Sequence, residues 1–199
     1  MPRQVTLRSG ERVLIRPIEP KDKDTLVDGF RRLGPESRYR RFFSPMVELG
    51  SRQLRYLTEV DHRTHEALIA TDPSSGEGLG VARFVRSSTD PRAAEVAVVV
   101  IDSWQGRGLG TALLEGLAGR ALEEGVERFT ASVLADNSPM LELLRELGDI
   151  EVLDREPGVV ELQIELRGPG VPAALSQTVR AAARGGLTVE PRHPVHPAE

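Results

Sequence analysis

The stretch from Glu95 to Leu114 constrains this chain more than any other. Ala93 to Ile101 is rich in valine and reads as a buried strand. Gly106, Gly108 and Gly110 follow it. Residues 108–125 then read as a helix, with Gly110, Leu113, Leu114, Leu117, Ala118 and Ala121 on one apolar stripe and Gly125 as its stop. In a strand, glycine turn and helix of this kind, the glycines let backbone approach a ligand with no Cβ in the way. The first helical amides lack internal partners, and the helix dipole adds partial positive charge there. The combination is an anion site suited to a phosphate or diphosphate. Two nucleotide sites are excluded by spacing. A dinucleotide fingerprint needs G-x-G-x-x-G in the first βα unit, and a Walker A loop needs Gly-Lys-Ser/Thr. Gly106, Arg107, Gly108 and Gly110 fit neither.

The rest of the chain supplies a sheet and further helices. Strands at Val5–Arg8 and Val13–Arg16 flank Ser9-Gly10-Glu11 as a hairpin. Helices are expected over Asp22–Leu33 and Ser51–Glu59, with a short helix or turn over Pro35–Phe43. Strands are expected at Glu66–Thr71, Leu79–Arg86 and Phe129–Leu134, a helix at Pro139–Leu147 stopped by Gly148, then short strands at Ile150–Leu153 and Val159–Leu166. Early hairpins and few helices imply a mixed sheet. After Arg167 the composition turns rich in Gly and Pro, so the domain is expected at 1–167 and a tail at 168–199, with a short helix over Ala173–Ala183.

Composition narrows the function. A net charge of −4 argues against a general nucleic-acid binder and mildly favours amine-bearing partners. With no cysteine, thiol nucleophiles and cysteine-ligated metals are excluded. The N-terminus lacks the apolar segment of a signal peptide, and Val96–Ile101 falls far short of the ~20 residues that span a bilayer. A cytoplasmic protein with no membrane or nucleic-acid partner, monomeric or homodimeric, is the expectation.

Gln105, Gly108 and Gly110 match Gln/Arg-x-x-Gly-x-Gly/Ala, and the segment Asp136-Asn137-Ser138-Pro139 begins the next helix. With the order of elements over residues 5–166, this closely resembles the GNAT N-acetyltransferase superfamily. Ser37–Phe43 and Glu95–Val100 resemble the catalytic domains of bacterial Pat-like protein lysine acetyltransferases. The resemblance implies an α+β fold: a three-layer α/β/α arrangement around a mixed, mostly antiparallel central sheet flanked by helices. It implies acetyl-CoA as co-substrate. Backbone groups of Val98, Val99 and Val100 are then expected to bond the pantetheine arm. Gln105, Gly106, Arg107, Gly108, Leu109, Gly110 and Thr111 are expected around the pyrophosphate, and Asn137 near the thioester.

Transfer of acetyl to an amine, with a protein lysine as the expected acceptor, needs a base for the amine proton. Glu95 is the candidate: it opens the valine strand on one face with Ala97, Val99 and Ile101, where burial is expected to raise its pKa. The resemblance places the general base at the same position. Many superfamily members carry a tyrosine as leaving-group acid where this chain has Leu144; the only tyrosines are Tyr39 and Tyr56. Asp61, His62 and His65 have metal-capable side chains; no metal is expected, and the three read as polar loop residues near the acceptor cleft. The aromatics of Arg38–Phe43 are expected in the core, with some arginines steering substrate. The alternatives are transfer to a small-molecule amine and a non-catalytic acyl-CoA sensor or subunit.

Overall fold

The chain was analysed as a computed structural model, which describes residues 2–44 and 46–167. The expected tail, with its helix and the histidines His193 and His196, lies outside the described residues. β1 (Arg3–Thr6) and β2 (Arg12–Pro17) form the hairpin; α1 (Lys23–Arg31), α2 (Pro35–Phe42) and α3 (Ser51–Thr58) follow. Then come β3 (His65–Thr71), β4 (Gly78–Arg86), β5 (Ala93–Val100), α4 (Leu109–Glu123), β6 (Arg128–Leu134), α5 (Ser138–Leu147), β7 (Gly148–Glu156) and β8 (Val159–Leu166). The strands make one eight-stranded sheet in the order β1-β2-β3-β4-β5-β6-β8-β7. Only β5 and β6 pair in parallel, so the sheet is mixed and mostly antiparallel. Among the described residues no helix is long and apolar enough to cross a membrane.

Strand periodicity divides the sheet between two helical layers. Leu68, Ala70, Ala82, Phe84, Ala94 and Val96 join the cluster around α4, whose Leu113, Leu114 and Leu117 are fully buried. Phe84 and Phe129 meet within it, ring centroids 6.0 Å apart. The opposite face carries Ala67, Ile69 and Val81, which pack with Ile18 and Leu26 at the start of α1. The buried surface of α4 is wider than the expected stripe: Leu109 and Ala112 are buried too. The reason is that α4 packs against α5 as well as against β3, β4 and β5.

One buried acid was not legible. Glu66 sits in β3 at 1% exposure, on the α4 side of the sheet. Its carboxylate accepts from Arg120 Nε (3.3 Å), the Ala67 amide (2.9 Å) and the His62 ring (Nδ1, 2.8 Å). A charge so placed is tolerated because three donors replace its water. After β2, buried Asp22 accepts two hydrogen bonds from the Arg16 guanidinium (2.7 Å each) and one from the Glu19 amide (2.8 Å). This fixes the turn from β2 into α1.

Gly148 does end α5, but for a different reason from the one its type suggests. Its φ of 177° is extended, not left-handed. What requires glycine is close approach: a Cβ there would lie 1.8 Å from the Glu165 carbonyl oxygen of β8. Gly125, by contrast, has φ +80° and open space around it. Gly148→Ala is therefore expected to destabilise by about 3 kcal/mol through backbone displacement, and Gly125→Ala by about 1 kcal/mol through conformation alone. Urea titrations of both variants measure the difference; equal losses would mean that the approach of β8 is not what selects Gly148.

Asp22 yields a second expectation. Burial pushes its carboxyl up, but the Arg16 bonds and the Glu19 amide outweigh that and hold it below its ordinary value. A depressed carboxylate stabilises the fold above the ordinary carboxylate range, and the contribution disappears as pH falls through the folded value. Asp22→Asn is expected to cost about 3 kcal/mol at neutral pH and less in acid. Urea midpoints compared at neutral pH and near pH 3 test it; a loss that does not shrink in acid refutes the assignment.

Candidate active site

The sheet opens where β5 and β6 part. Their parallel pairing covers only Ala93, Ala94 and Glu95 against Arg128, Phe129 and Thr130. Beyond that, β6 stays paired with β8 along its whole length, Arg128 to Leu134, while β5 stays paired with β4 up to Val100. No ladder joins Val96–Val100 to β6, so this part of β5 presents a strand edge inside the sheet. Two clefts meet there. One, of about 360 Å³, runs along Val98, Val99 and Val100 to the glycine turn. The other, of about 300 Å³, lies between Glu95, the C-terminal end of α2 and the α5 residues Met140 and Leu144. Asn137, Arg40 and Arg41 line both.

The glycine turn is shaped by its sequence. Gly106 and Gly108 have φ of +73° and +86°, a region that favours glycine. Gly108 is the N-cap of α4, and Gly110 is already helical, where a Cβ would come within 3.0 Å of Leu143. Gln105 ties the turn down: its Nε2 donates to Val100 O (3.0 Å) and Ser37 Oγ (3.1 Å). Leu109 is buried in the core, so its side chain does not face the cleft. Thr111 donates its hydroxyl to Glu146 (3.0 Å). Arg107 is paired with Glu11 (2.6 Å) and lies over the Trp104 ring. Arg8, from the β1–β2 hairpin, also lines the cleft beside the turn; its side chain packs on Gly108 and its guanidinium lies 3.5 Å from Glu146. No spacing or periodicity in the sequence marks Arg8.

Asn137 caps α5. Its Oδ1 accepts from the Met140 amide (3.3 Å), and the residue is buried at the junction of the two clefts. Glu95 lies at the opposite end of the opening. It is exposed, so the burial expected from its valine strand does not reach it. Leu144 is buried beneath the cleft. Tyr56, away from Leu144, packs against the His65 ring at 4.9 Å between centroids. The aromatics of α2 divide: Phe42 packs edge-on against Phe30 (5.8 Å), but Tyr39 and Phe43 are exposed, contrary to the core placement expected of them.

Asp61, His62 and His65 serve separate contacts. Asp61 Oδ1 accepts the amides of Arg63, Thr64 and His65 (2.8–2.9 Å), and these bonds with Thr64 outweigh burial to hold the carboxyl well below its ordinary value. His62 bonds Glu66. His65, on the sheet face opposite α4, accepts from Arg83 through Nε2 (3.2 Å). Burial and the Arg83 charge lower its pKa to about 4, which leaves the ring neutral and able to accept. Among the described residues no group of three or more His, Asp or Glu is placed to hold a metal.

Known proteins share this arrangement. The family model described as "Acetyltransferase (GNAT) family" matches residues 34–149. Acetyltransferase Pat of Mycolicibacterium smegmatis is 37% identical over 166 residues, 83% of this chain and 49% of that protein. This chain thus spans about half the length of that relative. The structure of the GNAT domain of S. lividans PAT superposes with a TM-score of 0.77 at 34% identity, covering 83% of this chain and 97% of that one. A cAMP-binding acyltransferase from Mycobacterium smegmatis superposes with a TM-score of 0.60 at 33% identity, over 92% of this chain and 54% of that one. The family match, the sequence identity and the shared fold agree: the chain belongs to the GNAT family of acetyltransferases.

Proposed function

We propose that the chain transfers an acetyl group from acetyl-CoA to a primary amine, with a protein lysine as acceptor and Glu95 as general base. The observation that carries this reading is the parted edge of β5. It lies between a glycine turn able to take a diphosphate and an exposed carboxylate.

The residues fit the co-substrate. Amides at the start of α4 face the cleft with no side chain over Gly106, and Arg8 adds positive charge beside them. The open edge of Val98–Val100 offers backbone donors and acceptors to the amides of the pantetheine arm, as an added strand would. Asn137 stands where the arm would end. Acetyl-CoA supplies a thioester, whose carbonyl carbon accepts the amine. The N–C bond forms as the C–S bond breaks, and the amine proton passes to Glu95 directly or through water. A β5 amide stabilises the developing oxyanion. The thiolate takes its proton from water, since the family's tyrosine position is Leu144. The cleft beside Glu95 is open, which suits a side chain presented by a protein. The resemblance to Pat-like protein lysine acetyltransferases supports the same acceptor class. The α2 side of the cleft carries Arg40 and Arg41.

Glu95→Gln is expected to lower kcat with a lysine peptide by about a hundredfold and to leave the acetyl-CoA dissociation constant unchanged. Gly108→Val is expected to weaken acetyl-CoA binding by at least about tenfold, because φ +86° excludes a β-branched residue. Thiol release and calorimetry on the two variants measure both effects. Full turnover in Glu95→Gln removes the base assignment. Binding of acetyl-CoA with no turnover on any amine, peptide or small, favours the sensor.

A further inference from the structure

Between α1–α3 and the sheet lies a second cavity, apolar on most of its wall and cationic at one end. Its walls include Leu26, Phe30, Leu57 and Ile69; Arg41 and Arg83 form the cationic end. Arg83 projects from the middle of β4. Its cross-strand neighbours are Ala67 on β3 and Ala97 on β5, two small residues that leave the guanidinium room. It is 5% exposed. Its polar partners are the Leu57 carbonyl (3.0 Å) and the neutral His65 ring (3.2 Å), neither of them an anion. Arg41, half-buried, rests over the Phe42 ring at 5.0 Å. Among the described residues neither arginine has a carboxylate within salt-bridge distance, although other arginines, such as Arg16 with Asp22 and Arg120 with Glu66, do.

Two guanidinium groups side by side, one of them buried, oppose folding through desolvation and mutual repulsion. Burial lowers Arg41 more than the nearby Glu95 charge raises it, and burial together with Arg41 pulls Arg83 down to about 9. An anion between them relieves both. The cavity holds about 60 Å³ of open volume, room for about four or five non-hydrogen atoms. Its location points to the reaction. Arg41, Phe42 and Ala97 line both this cavity and the cleft beside Glu95, and Val99 lines both it and the cofactor cleft. A group bound here therefore reaches the place where the two clefts meet.

We propose that this cavity is a recognition site for a carboxylate on a short apolar stem, with Arg41 and Arg83 holding the carboxylate. The carboxylate has two chemical sources: the far end of a dicarboxylic acyl group, such as the succinyl of succinyl-CoA, or an acceptor that carries a carboxylate near its amine. In the donor case the bonds made and broken are those of acetyl transfer. The amine nitrogen bonds the acyl carbon, the thioester C–S bond breaks, the amine proton goes to Glu95 and the thiolate is protonated by water. Only this donor arm rests on the acyl-transfer reading; carboxylate binding does not.

Thermal shift and calorimetry on the full chain test the site, with propionate and succinate as probes and propionamide as the neutral isostere. The carboxylates are expected to bind and raise Tm, and propionamide is not. Arg41→Gln and Arg83→Gln are expected to weaken carboxylate binding at least about tenfold. Ala97→Leu, which fills the space without removing a charge, is expected to do the same; circular dichroism identifies any variant that has failed to fold. Donor assays name the source. A kcat/KM for succinyl-CoA above that for butyryl-CoA, lost in Arg41→Gln, assigns the carboxylate to the acyl group. Succinyl-CoA no better than butyryl-CoA, with propionate competing against the amine, assigns it to the acceptor. The proposal is overturned if propionate at about 10 mM shifts Tm no more than propionamide, or if all three folded variants bind propionate as the parent does. Binding of propionate without turnover on any acyl-CoA removes the transfer reading and leaves the site. Turnover without carboxylate binding removes the site alone.

Discussion

The parting of β5 from β6 is the constraint on which the rest of the molecule depends. A sheet strand with an unpaired edge is costly, because backbone groups lose water without gaining partners. Here β6 pairs on one edge with β8 over seven residues and on its other edge with β5 over only three. Beyond Glu95 and Thr130 the two strands diverge. The β7–β8 hairpin is in turn pinned by the close approach of Gly148 to Glu165, and α5 packs on β7 and β8. Each half of the sheet is held by its outer neighbours, and the unpaired edges are Val96–Val100 of β5 and the facing edge of β6 beyond Thr130. A ligand with its own amides is the natural complement of such an edge.

The same opening explains why the glycine turn sits where it does. β5 ends at Val100, and a short 3-10 turn over Asp102–Trp104 carries the chain across the mouth of the cleft. Gln105 then anchors the chain back to the Val100 carbonyl. The helix that follows is buried on several sides, so its N-terminus is fixed by packing and not by the ligand. An anion arriving there meets amides already oriented, and little ordering is left to offset binding.

The sequence reveals the parts of this site that are local. Gly106 and Gly108 announce the turn because no other residue suits their φ, and the position of Asn137 before Ser138 and Pro139 announces a helix cap. The valine run announces β5. What it conceals depends on partners distant in the chain. The splay depends on where β5 and β6 stop pairing, after Glu95 and Thr130, and nothing in either segment marks that point. Arg8 reaches the turn only because the hairpin folds against α4. Glu66 reads only as the start of a strand, but Arg120 and His62 come to its carboxylate. Arg107, within the motif itself, is claimed by Glu11, so membership of a motif did not predict what the side chain touches.

Burial also sorts the charges around the opening in an order opposite to the one the strand pattern implies. The carboxylate expected to be desolvated, Glu95, stands in water, and the deeply desolvated charge is a cation, Arg83. The physical consequences differ. Glu95 keeps its hydration. A buried guanidinium cannot shed its charge at neutral pH and carries its desolvation with it. A ligand in the cavity is therefore felt most strongly at Arg83, the charge that water serves least.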